Sequence, residues 1–164
     1  MDGVDIRPVR TGDGSAVVAI FNHWIVEGFA AYLEQPVDLR FFEELRRRTA
    51  GYPLLVAERD GEVVGFGLLS SYHPASTFRR TGVLTYFLRP DATGQRIGSR
   101  MLDRLVVEAR ALGIDTLLAH ISSRNPGSLR FHERHGFEVV GRFERIGIKR
   151  GQDFGVVWVR RALA

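Results

Sequence analysis

The stretch from Tyr86 to Gly113, YFLRPDATGQRIGSRMLDRLVVEARALG, decides how the chain is read. It opens as an apolar strand, passes through a loop that contains Pro90 and Gly94, and becomes an amphipathic helix. Ile97, Met101, Leu102, Leu105, Val106, Ala109 and Leu112 recur every three to four positions, which leaves Arg100, Asp103, Arg104 and Glu108 for solvent. Gly113 supplies the stop. The first-turn amides of such a helix lack intrahelical acceptors and carry partial positive charge, while Gly94 and Gly98 let a ligand approach the main chain closely. The junction is therefore a candidate anion site, and a pyrophosphate suits it. Neither G-x-G-x-x-G nor G-x-x-x-x-G-K-[ST] occurs, so dinucleotide-fold and nucleotide-triphosphatase readings drop out.

Working outward, Val4 to Val9 reads as a first strand. Asp13 to Ser15 offer caps for a helix that buries Val17, Ile20, Phe21, Trp24 and Ile25. Gly28 to Pro36 shows no period, and a second helix follows from about Asp38 to Thr49, capped by Asp38 and buried through Leu39, Phe42 and Leu45. Leu54 to Glu58 and Val63 to Leu69 flank Asp60-Gly61, a two-residue hairpin signal, and Thr81 to Leu88 is a further strand. After the long helix come a strand at Thr116 to Ile121, a short helix capped by Asn125 and reaching His135, and strands at Phe137 to Ile146 and Asp153 to Val159. The pattern is a mixed α/β (α+β) domain spanning residues 1–164, without repeats or linkers.

At 164 residues, with 45% apolar and 26% charged residues, one domain with a core is the default. Basic residues exceed acidic ones by 23 to 19, but they are interspersed, as in FFEELRRR and FHERHGFE, so nucleic acid is not an expected partner. The same excess suits a small polyphosphate ligand. No apolar run approaches the roughly 20 residues that span a bilayer, and MDGVDIRP lacks the features of a secretory signal; a cytoplasmic protein with no membrane association is expected. With no cysteine there is no disulfide, thiolate metal site or cysteine nucleophile, so acyl transfer would proceed directly in a ternary complex.

NPGSLRFHERHGF, from Asn125 to Phe137, is similar to the pattern Asn-x-x-Ser-x-x-Phe-(Tyr or His)-x-x-x-Gly-Phe of the GNAT superfamily of N-acetyltransferases. GIKRGQDFGVVW near the end, and Asn22-His23 near the start, resemble its phosphinothricin and methionine sulfoximine acetyltransferase branch. The resemblance covers essentially the whole chain. It implies a mostly antiparallel sheet of about seven strands with about four helices, splayed at the acyl-CoA site. It also implies acetyl-CoA as donor, a small-molecule amine such as an amino acid or analogue as acceptor, and a homodimer; Trp158 and other apolar residues near the C-terminus are explained equally well by that partner or by burial in the monomer. By the same resemblance the pantetheine pairs with the backbone of Tyr86, Phe87 and Leu88, and the pyrophosphate sits on Gly94, Gln95, Arg96, Ile97, Gly98 and Ser99. Asn125 and Ser128 of the second motif complete the donor site, and Tyr32, Glu34, His73, Arg79 and Arg80 fall on segments that shape the acceptor pocket. Acetylation of a protein N-terminus or lysine, and a non-catalytic acyl-CoA-binding module, are the rival readings.

Departures from the family pattern bear on the chemistry. Thr93 and Arg96 replace the leading residue and a glycine of the usual (Arg or Gln)-x-x-Gly-x-(Gly or Ala) loop, and Gly155 replaces an aspartate. Val83, four residues before Phe87, stands where the branch usually carries the glutamate that helps deprotonate the amine. An amine must lose a proton before it attacks a thioester, and a departing thiolate leaves more readily when a proton is donated to it. His132 sits where relatives place the group beside the sulfur. For the base, His120, His73 and Glu34 are the candidates, or a water chain held by backbone carbonyls; because Val83 removes the carboxylate, bulk or water-relayed proton loss is expected, so that the rate rises with pH along the acceptor's own pKa. His132 and His135 are three apart on one helix, but no further ligand pattern accompanies them, so no metal is expected.

Overall fold

The computed structural model describes residues 3–163; Met1 and Asp2, the start of the MDGVDIRP segment, and Ala164 lie outside the described residues. The strands are β1 (Val4–Pro8), β2 (Leu54–Arg59), β3 (Glu62–Ser71), β4 (Thr81–Leu88), β5 (Thr116–Ser122), β6 (Glu138–Lys149) and β7 (Gln152–Ala162). The helices are α1 (Gly14–Val26), α2 (Leu39–Arg48), α3 (Ile97–Ala111) and α4 (Pro126–Arg134). One sheet runs in the order β1-β2-β3-β4-β5-β7-β6, and its only parallel pair is β4 with β5. No helix among the described residues is long and apolar enough to cross a membrane.

The sheet is buried on both faces by alternation along its strands. Leu55 and Ala57 of β2 meet Met101, Leu102 and Leu105 of α3, while Leu54 and Val56 turn the other way to Val17, Val18 and Ile20 of α1 and to Phe42 and Leu45 of α2. Each fully buried leucine or methionine of α3 contributes roughly 1.5–3 kcal/mol by leaving water. Asp60 and Gly61 both have positive φ (53° and 82°), the backbone of the two-residue hairpin read from the sequence, and Arg150-Gly151 repeats the device between β6 and β7 with φ of 50° and 74°.

Several local expectations are corrected. Asp13 does not cap α1; its carboxylate accepts from the Arg10 amide at 2.6 Å and from Arg7 at 2.8 Å, and Arg7 in turn reaches Glu58. Asp38 does cap α2, accepting from the Arg40 amide at 2.9 Å, but Leu39 stands at the first helical position and is 54% exposed. Leu112 is 47% exposed because α3 ends at Ala111. Arg100 and Arg104 lie along β1 and donate to the carbonyls of Val4 and Ile6, at 2.6 Å and 3.3 Å. Gly155 has a steric reason: a Cβ there would lie 2.5 Å from the carbonyl oxygen of Phe143, where β6 bulges toward β7. The aspartate of the branch does not fit this backbone without a shift.

One irregularity prepares the site. β4 and β5 pair only from Thr81↔Thr116 to Val83↔Leu118. Beyond Val83 the strands diverge, and the edge of β4 that faces β5 has no strand against it.

Candidate active site

β4 leads from this splay through a short turn at Pro90–Ala92 into α3. The amides of Ile97, Gly98 and Ser99 have no intrahelical acceptor, and none of residues Gly94 to Ser99 donates its amide to another described backbone group. Gly94 has φ +73° with open space around the position of a Cβ, so the main chain there is accessible to a ligand. Arg96 caps α3 with φ 62°, a left-handed conformation that costs a non-glycine residue roughly 1–2 kcal/mol and explains why the family prefers glycine at this point. Gln95, expected to contact the cofactor, uses both ends of its side chain to hold the loop: Nε2 donates to the Asp91 carbonyl at 2.7 Å and Oε1 accepts from Arg59 at 2.7 Å. What it can offer an anion is its amide.

Helix α4 closes the junction. Asn125 caps it by accepting from the Ser128 amide at 3.2 Å, as the motif anticipates, and Pro126 fits the first helical position. His135 lies 2.7 Å through Nδ1 from the Phe131 carbonyl, which places its proton on Nδ1 and leaves Nε2 to accept from the Ser99 hydroxyl at 2.9 Å. The first turn of α3 and the end of α4 are thereby tied together.

His132 is 3% exposed. By the same logic its Nδ1 donates to the Ser128 carbonyl at 2.7 Å, and its Nε2 accepts from the hydroxyl of Tyr86. Desolvation pulls the His132 pKa below its ordinary value, with the neighbouring His135 adding to the effect against the Ser128 bond, so the ring is neutral at pH 7. Burial pushes the Tyr86 phenol far up, so it keeps its proton. The sequence assigns Tyr86 a backbone role alone; its side chain is part of the site as well.

The opposite face of the sheet carries a second group. Leu117, Ala119 and Ile121 of β5 belong to the α3 side, so Leu118 and His120 face the other way, as do Val83 and Phe87 of β4. His120 stands two residues past Leu118, beyond the last paired position of the splay. Its ring centroid lies 4.9 Å from that of Trp158, its register partner on β7, and 5.6 Å from that of Tyr32. The Tyr32 hydroxyl meets His120 Nδ1 at 3.0 Å, and the Tyr32 ring also stacks on Phe154 at 5.6 Å. His120 is exposed by surface area, yet the packing of Tyr32 and Trp158 against its ring partly desolvates it and lowers its pKa from 6.5. Burial pushes the Tyr32 phenol up to about 12. No described residue bonds to Nε2 of His120.

The remaining candidates fall elsewhere. His73 is exposed in the β3–β4 loop, where Nδ1 accepts from the Ala75 amide at 3.1 Å, and Arg79 in the same loop contacts the Ser76 carbonyl at 3.4 Å. Glu34 accepts from the Arg150 amide at 2.6 Å. Leu88 does not leave its carbonyl free, since the indole of Trp24 donates to it at 2.7 Å. Trp24 is read from the sequence only as an apolar helix residue, and Phe154 and Trp158 fall within the GIKRGQDFGVVW stretch; their places at the site come from packing and strand register. Among the described residues no cluster of three or more His, Cys, Asp or Glu is placed to hold a metal.

A splayed parallel pair, an open strand edge and a helix N-terminus aligned with it define an acyl-CoA-dependent acyltransferase fold. Residues 17–137 match the Acetyltransferase (GNAT) family, and the chain belongs to that family. It is 34% identical over 153 residues to the L-amino acid N-acyltransferase MnaT of Escherichia coli, covering 91% of this chain and 88% of that protein. It is also 34% identical over 164 residues to the phosphinothricin N-acetyltransferase of Alcaligenes faecalis, covering 96% of this chain and 82% of that one. A phosphinothricin acetyltransferase from Sinorhizobium meliloti, solved in complex with acetyl-CoA, superposes with a TM-score of 0.92 at 27% identity, over 99% of this chain and 89% of its own.

Gly98 tests the anion junction. A Cβ there would stand 3.4 Å from Phe131, an ordinary contact, so Gly98→Ala is expected to fold and bind acetyl-CoA. Gly98→Asp adds a charge where phosphate oxygens approach and is expected to abolish binding in calorimetry; unchanged affinity would remove this site from consideration.

Proposed function

We propose that this enzyme transfers the acetyl group of acetyl-CoA to the primary amine of a small molecule, an amino acid or analogue, by direct attack in a ternary complex. The observation that carries this reading is the placement of two histidine–tyrosine pairs on opposite faces of one splay. His120 with Tyr32 stands on the face shared with Val83, and His132 of α4 with Tyr86 of β4 stands on the other. The names of the relatives, which act on amino acids and their analogues, support the acceptor class.

In this reading the diphosphate sits on the amides of Gly94 to Ser99, and the pantetheine runs along the open edge of β4, with the Leu88 carbonyl already engaged by Trp24. Asn125 and Ser128 shape the α4 side of that channel. The amine nitrogen attacks the thioester carbon from the Tyr32 face. Backbone amides of β4 meet the oxyanion that forms, and the carbon–sulfur bond then breaks. His120 takes the proton that the attacking nitrogen loses. With its Nδ1–H donating to the Tyr32 oxygen, Nε2 offers a lone pair, and the lowered pKa keeps it neutral at pH 7. The imidazole on the neighbouring strand thus stands in for the carboxylate that Val83 lacks. On the other face, Tyr86 gives its hydroxyl proton to the departing thiolate as the carbon–sulfur bond breaks, and the phenolate, held against His132, regains a proton from solvent once the thiol leaves.

Release of free thiol from acetyl-CoA with a panel of amino acids, their analogues and short peptides tests the assignment; turnover confined to peptides, or none at all, would overturn it. Tyr86→Phe and His132→Ala are each expected to lower turnover about 10- to 1000-fold with acetyl-CoA affinity nearly intact. Wild-type turnover in both would leave the pair only the task of joining α4 to β4. For His120, kcat/KM is expected to rise with pH through a midpoint below 6.5, because the base acts in its neutral form. The midpoint should be the same for two acceptors of different amine pKa. A profile that tracks the acceptor instead assigns the proton to solvent.

We further propose that a second copy of the chain covers β6, an edge strand on which Val139, Val140, Phe143, Ile146 and Ile148 are each 49% to 69% exposed. Sedimentation equilibrium is expected to give a dimer that Phe143→Glu converts to a monomer; a monomeric wild-type chain would refute the assembly.

A further inference from the structure

Lys149 ends β6 and is 1% exposed, yet neither histidine–tyrosine pair includes it. Its Nζ donates to the carbonyl of Ala31 at 2.7 Å and lies 6.0 Å from the centroid of the Phe29 ring. Burying the charge is unfavourable, and desolvation lowers its pKa, with Arg150 adding to the effect and Glu34 opposing it. A methionine of similar length would fill the space with less penalty. The ammonium therefore has a role that a packed apolar side chain would not fill.

The connection between α1 and α2, which carries Ala31, and the end of α1 that leads into it are fastened at three other points. The Arg150 guanidinium donates to the Ile25 carbonyl, the Arg150 amide donates to Glu34 at 2.6 Å, and Asn22 exchanges two bonds with Val37, at 2.8 Å and 2.9 Å. Of the four, the bond to Ala31 adjoins Tyr32, the residue whose hydroxyl meets His120. We propose that Lys149 is a positioning residue of the acceptor site: by holding the Ala31 carbonyl it sets Tyr32 against His120 and so fixes the orientation of the imidazole. The proposal rests on the reading of His120 as the proton acceptor. The groups packed around His120 are Tyr32 and Trp158, and the charged groups near Lys149 are Arg150, Glu34 and Arg124, whose guanidinium lies 5.1 Å from the Phe29 centroid. Without the anchor Tyr32 moves off the imidazole, water enters, and the His120 pKa rises toward 6.5.

The test uses the full chain with one amine that it acetylates. Lys149→Met is expected to lower kcat/KM for the amine about 10- to 100-fold, to leave KM for acetyl-CoA within about twofold, and to move the acid-limb midpoint up toward the ordinary imidazole value. Lys149→Arg, which keeps a cationic donor, is expected to restore the midpoint. In a double-mutant cycle, Tyr32→Phe and Lys149→Met should be non-additive, since both act through one contact. Additive losses, or an unmoved acid limb, overturn the proposal. If Lys149→Met does not fold, Lys149→Gln takes its place in the cycle under the same criteria. His120→Gln separates the two levels of inference. If it leaves rate and profile unchanged, the reading of the site fails; if it removes the acid limb while Lys149→Met behaves as wild type, only the anchor fails.

Discussion

The constraint on which the molecule depends is the brevity of one strand pairing. β4 and β5 are joined in parallel for three residues and then part. Unpaired strand edges inside a protein must find partners, and here one carbonyl finds the indole of Trp24 while the rest of the β4 edge faces the gap. The gap cannot close, because α4 and β7 hold β5 from the other side. The Asn125 cap starts α4 a few residues beyond the end of β5, and Ser123 exchanges bonds with Gly155 of β7 at 2.8 Å and 2.9 Å. On the proposed reading this open main chain is the channel for an extended ligand, and the helix that follows β4 terminates it with amides that have no intrahelical acceptor.

The two faces of that channel differ in how their protons are held. On the α4 side His132 is sealed from water, with both ring nitrogens engaged inside the protein. On the α1–α2 side His120 retains an edge to solvent and a nitrogen without a described partner. Both rings are neutral at pH 7 for the same physical reason, desolvation, but only one is able to exchange its proton with bulk water directly. In the proposed transfer the closed position would serve the leaving group and the open one the attacking amine.

How far the sequence could be read follows from which interactions are local. The period of α3, its stop at Gly113, the Asp60-Gly61 hairpin and the Asn125 cap depend on neighbours a few residues apart, and each is found as expected. Asp13 escapes such a reading because a cap competes with any strong partner nearby, and Arg7 together with the Arg10 amide wins the carboxylate. The anion junction is legible because it is one continuous stretch. Tyr32 and His120, 88 positions apart, can be named individually but not as a pair. Tyr86, Trp24 and Lys149 lie in stretches that the sequence marks, yet the partners of their polar groups cannot be read there, since those partners lie on other elements and only the packed structure brings them together.

The Gly94–Ser99 junction and the Tyr32 wall are also separate in a way that bears on how such an enzyme can change. One is made of main-chain amides on a single stretch of chain; the other is made of side chains drawn from three distant segments, with the sheet lying between parts of the two. Substitutions at Tyr32, Phe154 or Trp158 touch no group that holds a phosphate, and effects at sites without shared partners tend to add independently. With the two sites assigned as proposed, acceptor selectivity is free to drift while donor recognition stays as it is, which would make this scaffold modular in its two specificities.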